Sequence, residues 1–418
     1  MHILLLTAYF PPDTGSAAHL FYELGTALVQ EGHTVSVLTS FPSYHAQGDL
    51  RRYRGRLWMV EEIDGVKVAR MAVPNLPRHI PLARGLWQFS LALAFALAGM
   101  RLPRPDVALV YSPPLPLGLT AWWLRLSRKV PFVLNVQDLF PQSVIDLGIL
   151  RNRWLIRFFE HMERFIYRRA DHITVHSPGN RDHVVGKGAP PERVTVMPNW
   201  VDTEFIRPGE RRNGFFEQYN LDGKFVVSFA GILGYSQDLD IVLEAAKLLQ
   251  RHSDIHFLIV GDGVEKPRLE RKAAEMGLQN VQFVPMQPRH RYPEVLNASD
   301  VCLATLHTEV RTPVVPSKIL SIMAAARPVV AAMNLDGDAP RLIEEAQCGF
   351  PLPPENPKVL AEAILTLYND RDLCARLGQN GRRYAEKHLS LRVASKRYIE
   401  IFKQVLNNRK EVEQWKNI

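Results

Sequence analysis

The chain reads as an α/β protein built from two doubly wound domains, and three observations carry that reading. Its 418 residues exceed a single ordinary domain, and 46% hydrophobic content is enough to fill two cores. Apolar strand-like runs alternate with helical ones along almost the whole length, the rhythm of parallel sheets with crossover helices. That rhythm pauses at PNWVDTEFIRP (198–208) and then restarts. The implied division is a Rossmann-like domain over 1–203, a second over 204–388, and a closing helix over 389–418 that crosses back onto the first.

Taken in order, the first half offers HILLLT (2–7), TVSVLT (34–39), DVALVY (106–111), PFVLNVQ (131–137), HITVHS (172–177) and RVTVMP (193–198) as strands. Between the second and third, LWMVEEIDGVKVARM (57–71) joins two short runs through Asp-Gly, which predicts a hairpin. The second half offers FVVSFAGI (225–232), IHFLIVGDG (255–263), VQFVPM (281–286), DVCLATL (300–306) and RPVVAAM (327–333), then a nearly all-helical stretch from 357 to about 407. In doubly wound sheets ligands sit at the carboxyl ends of strands. Two such sheets facing one another predict a central cleft with one side for each substrate.

Composition removes several classes of function. Cys302, Cys348 and Cys374 are far apart and lack metal or disulfide spacing, which suits a reducing cytoplasm. The N-terminal MHILLLTAYFPPDTG has no leading basic residue and reads as a first strand rather than a signal peptide. The longest apolar run, 85–100, is shorter than the roughly 20 residues that span a bilayer, so a buried or interfacial helix is expected there. All of the net charge of +8 is accounted for by residues 78–169, with 13 Arg plus Lys against 5 Asp plus Glu. Within that segment RNRWLIRFFEHMERFIYRRADH (151–172) interleaves Trp154, Phe158, Phe159 and Phe165 with arginines. Such a basic amphipathic helix fits either an anionic membrane surface or an ordinary solvated face. No nucleic-acid-binding pattern is present in the sequence, so a nucleic-acid partner is not expected.

The stretch PSKILSIMAAARPVV (316–330) suggests a diphosphate site, or else a plain βα helix with a solvated lysine. Ser317 would cap a helix beginning near Lys318, whose free N–H groups and positive dipole end favour an anion. Lys318 would add a point charge on a flexible stem. Gly15 and Ser16 follow the first strand and enter a helix, where backbone can approach a phosphate or sugar or simply turn. Gly231 and Gly234 flank the loop after 225–230, and Gly261, Asp262 and Gly263 follow another buried strand as a second close approach or an ordinary turn. The Asp-x-Asp pairs Asp238/Asp240 and Asp336/Asp338 do not follow strands as a metal-holding pair would, so no essential metal is expected. Asn199 and Asp202 read as turn caps in the interdomain connection.

Six segments together carry a resemblance: TAYFPPDTGSAAHLFYELGTALVQEGHTVSVLT (7–39), VQDLFPQSVIDLG (136–148), MPNWVDTEFIRP (197–208), AGILGYSQDLDIVLEAA (230–246), IVGDGVEKPRLE (259–270) and VPSKILSIMAAARPVVA (315–331). In this order, over nearly the whole length, they resemble the GT-B glycosyltransferases of family 4, of the WcaI and WbuB type. The resemblance implies donor sugar and diphosphate near Gly15 and Ser16, with the loop of Gly231 and Gly234 over the diphosphate. It also implies a base-contact segment from Val284 to Met286. Asp138, at the end of 131–137, matches the position where such enzymes meet donor sugar or acceptor; it is the candidate for acceptor binding or base work, or a cap of the turn into FPQS. Many members carry Arg and Lys in the loop where this chain has Ile232 and Gln237. Where the wider family has two glutamates, Pro313 and Ser321 stand here, and Ser321 is left as a weak hydroxyl partner for the ribose.

The expected function is therefore a retaining, metal-independent hexosyltransferase in surface polysaccharide biosynthesis, with catalytic Asp138 and Lys318 and no cofactor beyond its nucleotide-sugar donor, UDP-sugar before GDP-sugar. The acceptor is expected to be a lipid-linked glycan, with the chain peripheral on the inner face of the cytoplasmic membrane through 78–169. The alternatives are a GT-B nucleotide-sugar epimerase, against which the basic segment speaks, and a non-catalytic nucleotide-binding subunit, which turnover would separate.

Overall fold

The computed structural model describes residues 1–416 apart from 14, 43–45, 47–49, 75, 77–80, 147 and 311–312, and omits the side chains of 16, 81–82 and 410–416. Parts of the 78–169 segment and the side chain of Ser16 thus lie outside the described residues. The chain forms two compact units, Met1–Asn199 with Leu391–Ile418, and Trp200–Ser390. Those boundaries fall at 199/200 and 390/391, where the sequence places them at 203/204 and 388/389.

In unit 1 the order is β1 (His2–Leu6), α1 (Ser16–Gln30), β2 (Thr34–Ser40), β3 (Trp58–Ile63), β4 (Val66–Met71), α2 (Pro81–Gly99), β5 (Val107–Ser112) and α3 (Leu117–Arg128). There follow β6 (Phe132–Val136), α4 (Gln142–Asp146), α5 (Arg153–Arg169), β7 (His172–Val175), α6 (Pro178–Gly186) and β8 (Val194–Val196). The sheet runs β3-β4-β2-β1-β5-β6-β7-β8, parallel except for the β3–β4 hairpin. Asp64 (φ 48) and Gly65 (φ 79) both take left-handed backbone, so the Asp-Gly signal is a two-residue turn matched to strand twist. Arg70 of β4 is fully buried and ties three elements together. It meets Glu61 of β3 at 2.5 Å, the carbonyl of Ser40 at the end of β2, and the carbonyl of Pro11 in the loop after β1.

On one face of this sheet α2, α3 and α5 form a layer. Trp87, Leu91, Phe95 and Ala98 of α2 face the core at helical spacing, while Leu86, Leu93, Leu97 and Met100 stay exposed. A Cβ on Gly118 would lie 2.5 Å from Ile166, so glycine is what lets α3 approach α5. Of the five α5 aromatics only Trp154 and Phe158 are exposed; Phe159 packs on Phe140, Phe165 packs on Trp122, and Tyr167 is fully buried. The last helix, α15 (Leu391–Lys416), belongs to this unit and buries Tyr398 and Phe402 fully.

Unit 2 contains α7 (Gly214–Gln218), β9 (Phe225–Ala230), α8 (Asp240–Leu248), β10 (Ile255–Val260), α9 (Lys266–Glu275), β11 (Val281–Val284), α10 (Tyr292–Ala298) and β12 (Val301–Thr305). It continues with α11 (Ser317–Ala324), β13 (Val329–Ala332), α12 (Asp338–Ala346), β14 (Gly349–Leu352), α13 (Pro357–Asn369) and α14 (Arg371–Tyr384). The parallel sheet runs β11-β10-β9-β12-β13-β14. β14 is not among the sequence-expected strands, because GFPL is short, contains proline and pairs at an edge.

Candidate functional site

In unit 2 the strand order reverses between β9 and β12, the switch point at which a doubly wound sheet opens a crevice. The loop after β9 passes through a 3-10 turn, Tyr235–Gln237, and α11 begins across from it after β12. Lys318, in the first turn of α11, reaches into this point. Its Nζ lies 3.6 Å from the ring centroid of Phe229 and donates to Oε1 of Gln237 at 2.7 Å. A Cβ on Gly231 (φ 155) would come within 3.2 Å of that Nζ, so glycine keeps the space open.

These contacts correct the expected point charge on a free stem. The residue keeps part of its surface open, yet its ammonium end is enclosed, and burial pulls Lys318 down to about 7. The expected cap is also corrected. Ser317 is the exposed first residue of α11, and Pro316 holds the N-cap position without a side-chain bond. Of the leading N–H groups that of Ile319 donates to the Pro316 carbonyl at 3.0 Å, and those before it precede the first intrahelical bond. Ser321 sits on the next turn, its hydroxyl 3.4 Å from the carbonyl of Ser317.

The Gly-Asp-Gly loop approaches something closely, but that something is protein. A Cβ on Gly261 would lie 1.9 Å from the carbonyl oxygen of Gly231, and one on Gly263 (φ 157) 2.3 Å from that of Leu233. Gly231 and Leu233 N–H groups donate to the carbonyls of Val260 and Asp262, both at 2.9 Å. Two loops are thereby fastened side by side. Gly234 needs no glycine, since its φ is −113° and an added Cβ would meet only ordinary contact. Of the expected base-contact segment, Val284 is fully buried and its carbonyl accepts from Gly261, whereas Met286 is exposed.

Neither Asp-x-Asp pair is disposed as two free carboxylates. Asp240 begins α8 and is held by Arg268 at 2.6 Å and Lys272 at 2.7 Å, which lowers it to about 2. Asp238 takes left-handed backbone (φ 44) and is raised by desolvation. Asp338 is buried at the start of α12. Sequence reading missed Tyr235, Val264 and Leu335, which are exposed together with Ile232 and Met286 in loops that follow β9, β10, β11 and β13.

In unit 1 Gly15 (φ 123) is the N-cap of α1 and is exposed, a conformation that asks for glycine. Arg70, through the Pro11 carbonyl, fixes the loop leading to it. Asp138 follows β6. More than a third of its surface is open, yet the chain around its carboxyl is dense enough that desolvation raises it, against the Ser143 hydroxyl, the Leu139 N–H and Arg84. Tyr111 of β5 is raised as well, by burial and then by Asp138. Gln137 and Asn199 exchange reciprocal amide bonds at 2.8 Å, so Asn199 is paired across the unit rather than capping a turn. Asp202 does cap, accepting from Glu204 and Phe205 at 3.0 Å.

Residues 14–200 match the family model described as glycosyl transferase 4-like domain, and 211–384 match that of glycosyl transferases group 1. The chain is 29% identical over 70% of its length to a probable glycosyltransferase, WbjE, of Pseudomonas aeruginosa, covering 73% of that protein. It is 27% identical over 78% of its length to the putative colanic acid biosynthesis glycosyl transferase WcaI of Escherichia coli K12, covering 81% of it. Among solved structures, Anabaena HepE in complex with UDP aligns at TM-score 0.72 and 17% identity, over 97% of this chain and all of that one. WaaG, a glycosyltransferase of lipopolysaccharide biosynthesis, aligns at 0.68 and 16% over 96% and 99%.

Proposed function

Since this chain belongs to the GT-B glycosyltransferases of family 4, we propose that it moves a hexose from a nucleotide diphosphate sugar to a lipid-linked glycan acceptor of cell-surface polysaccharide synthesis. The observation that carries the donor side is Lys318 at the β9/β12 switch point, beside the N-terminus of α11 and the Gly231 loop. Holding the leaving diphosphate with preorganised N–H groups and one lysine stabilises charge that develops in the transition state. Names of relatives that act in colanic acid or O-antigen synthesis support the pathway class, and the HepE complex supports UDP before GDP. Retention of configuration is part of this reading, and family membership supports it. Metal independence follows from assigning the countercharge to Lys318. Asp138 is assigned to the acceptor hydroxyl, whose proton it takes late in transfer.

The membrane side of the reading rests on α2, α3 and α5. Leu86, Leu93, Leu97, Trp123, Leu126, Trp154 and Phe158 are exposed, with Arg101, Lys129, Arg153 and Arg157 also exposed beside them. No helix among the described residues is long and apolar enough to cross a membrane. An apolar face with a basic surround fits contact with an anionic leaflet, each basic group adding about 1 kcal/mol where it reaches the lipid.

Calorimetric titration of UDP and GDP into wild type and Lys318→Ala, with and without EDTA, tests the donor assignment. One nucleotide should bind, indifferent to EDTA, and weaken by about 1 to 3 kcal/mol in the variant. Equal binding by the variant, or none by wild type, removes the diphosphate site from α11. Loss of binding in EDTA removes metal independence.

A further inference from the structure

The donor-site reading depends on one lysine, and its surroundings bear on how that lysine becomes charged. Among the described residues no carboxylate lies within ion-pair distance of Lys318. Its Nζ meets the face of Phe229 and the side-chain oxygen of Gln237. Its contacts among the described residues are uncharged: Phe229 from β9, Gly231 from the loop that follows and Gln237 from the 3-10 turn. Asp238, the next residue of the loop, is opposed by His307, which in turn faces Glu355 at 3.7 Å. Burial is what lowers Lys318. A ring face and a neutral amide compensate a buried cation poorly, whereas a diphosphate would supply the missing countercharge.

We propose, on the basis of that donor-site reading, that Lys318 takes up a proton as the diphosphate binds, and that Gln237 is the placeholder which holds the amine until then. The neutral amine accepts one proton from solvent and becomes an ammonium. Its N–H donors then pass from Oε1 of Gln237 to a phosphate oxygen, and no covalent bond to the ligand forms. Above pH 7 the amine of the empty site is thus mostly uncharged, and it becomes cationic with the anion in place.

UDP and GDP titrated into the full chain near pH 8, in HEPES and in Tris, report proton uptake through the difference in heats. At that pH the phosphates of the nucleotide are already ionised, because their second pKa is about 6. Close to one proton should enter per nucleotide, falling to about half near pH 7, with affinity lost roughly tenfold per unit at higher pH. Lys318→Met should bind more weakly with no uptake. Gln237→Glu, which gives the amine a carboxylate beforehand, should also bind without uptake. Nucleotide binding with no uptake and no such pH dependence overturns the inference while leaving the donor site standing, as does uptake that persists in Lys318→Met. If Lys318→Met does not fold, the wild-type pH series decides alone. Failure of both nucleotides to bind at either pH overturns the donor site and this inference together.

Discussion

At the scale of single residues, the two assigned catalytic groups are both shifted toward their neutral forms by burial, Lys318 downward and Asp138 upward. For Asp138 the sign fixes a pH effect. A base acts as its carboxylate, so the acid limb of the rate profile should lie above the range of an ordinary aspartate, near 4. Asp138→Asn should lower kcat by roughly 10² to 10⁴ while leaving nucleotide affinity unchanged, as measured by turnover and calorimetry side by side. A variant that loses nucleotide binding instead would place Asp138 in the donor site. The motif around Ser317 and Lys318 was legible as a helix start after a buried strand, since a small residue and a lysine ahead of an apolar run are local signals. The state of the lysine was not legible, because Phe229 and Gln237, which enclose it, come from another element far upstream.

At the scale of elements, the strands were legible wherever apolar runs were bounded by turn residues, and β14 was not, because four residues with a proline carry no period. The glycines at 261 and 263 were legible as close approaches. What approaches them was not, since only the pairing of the loops shows the Gly231 and Leu233 carbonyls in the space. Gly261→Ala should therefore act as overpacking, costing about 1 to 3 kcal/mol in denaturant unfolding and weakening nucleotide binding through the displaced Gly231 loop. An unfolding midpoint equal to wild type would contradict that packing. The α2, α3 and α5 face makes a separate prediction. Sedimentation with anionic phosphatidylglycerol vesicles should fall in Trp154→Glu with Leu93→Glu and with added salt, and neutral vesicles should bind less than anionic ones; an unchanged bound fraction would assign the face elsewhere.

At the scale of the whole molecule, unit 1 is discontinuous in sequence. Asn135 of β6 donates to Thr174 at 3.0 Å and to the hydroxyl of Tyr398 at 2.8 Å, and its own oxygen accepts from Gln137. A buried amide in the sheet is therefore satisfied by a helix that arrives more than two hundred residues later. Tyr398→Phe should cost about 1 to 3 kcal/mol in thermal unfolding, the penalty of a buried group left short of a partner, and no loss would mean that Thr174 alone suffices. The same arrangement orders events during synthesis. Unit 2 is a single continuous stretch, complete once Ser390 has emerged, whereas unit 1 must wait for residues from Leu391 onward although its strands are translated first. A chain ending at Ser390, carried on a tether long enough for that residue to clear the ribosome, should show a protease-resistant second half behind a first half still open to cleavage, so the part made earliest is the last to be finished.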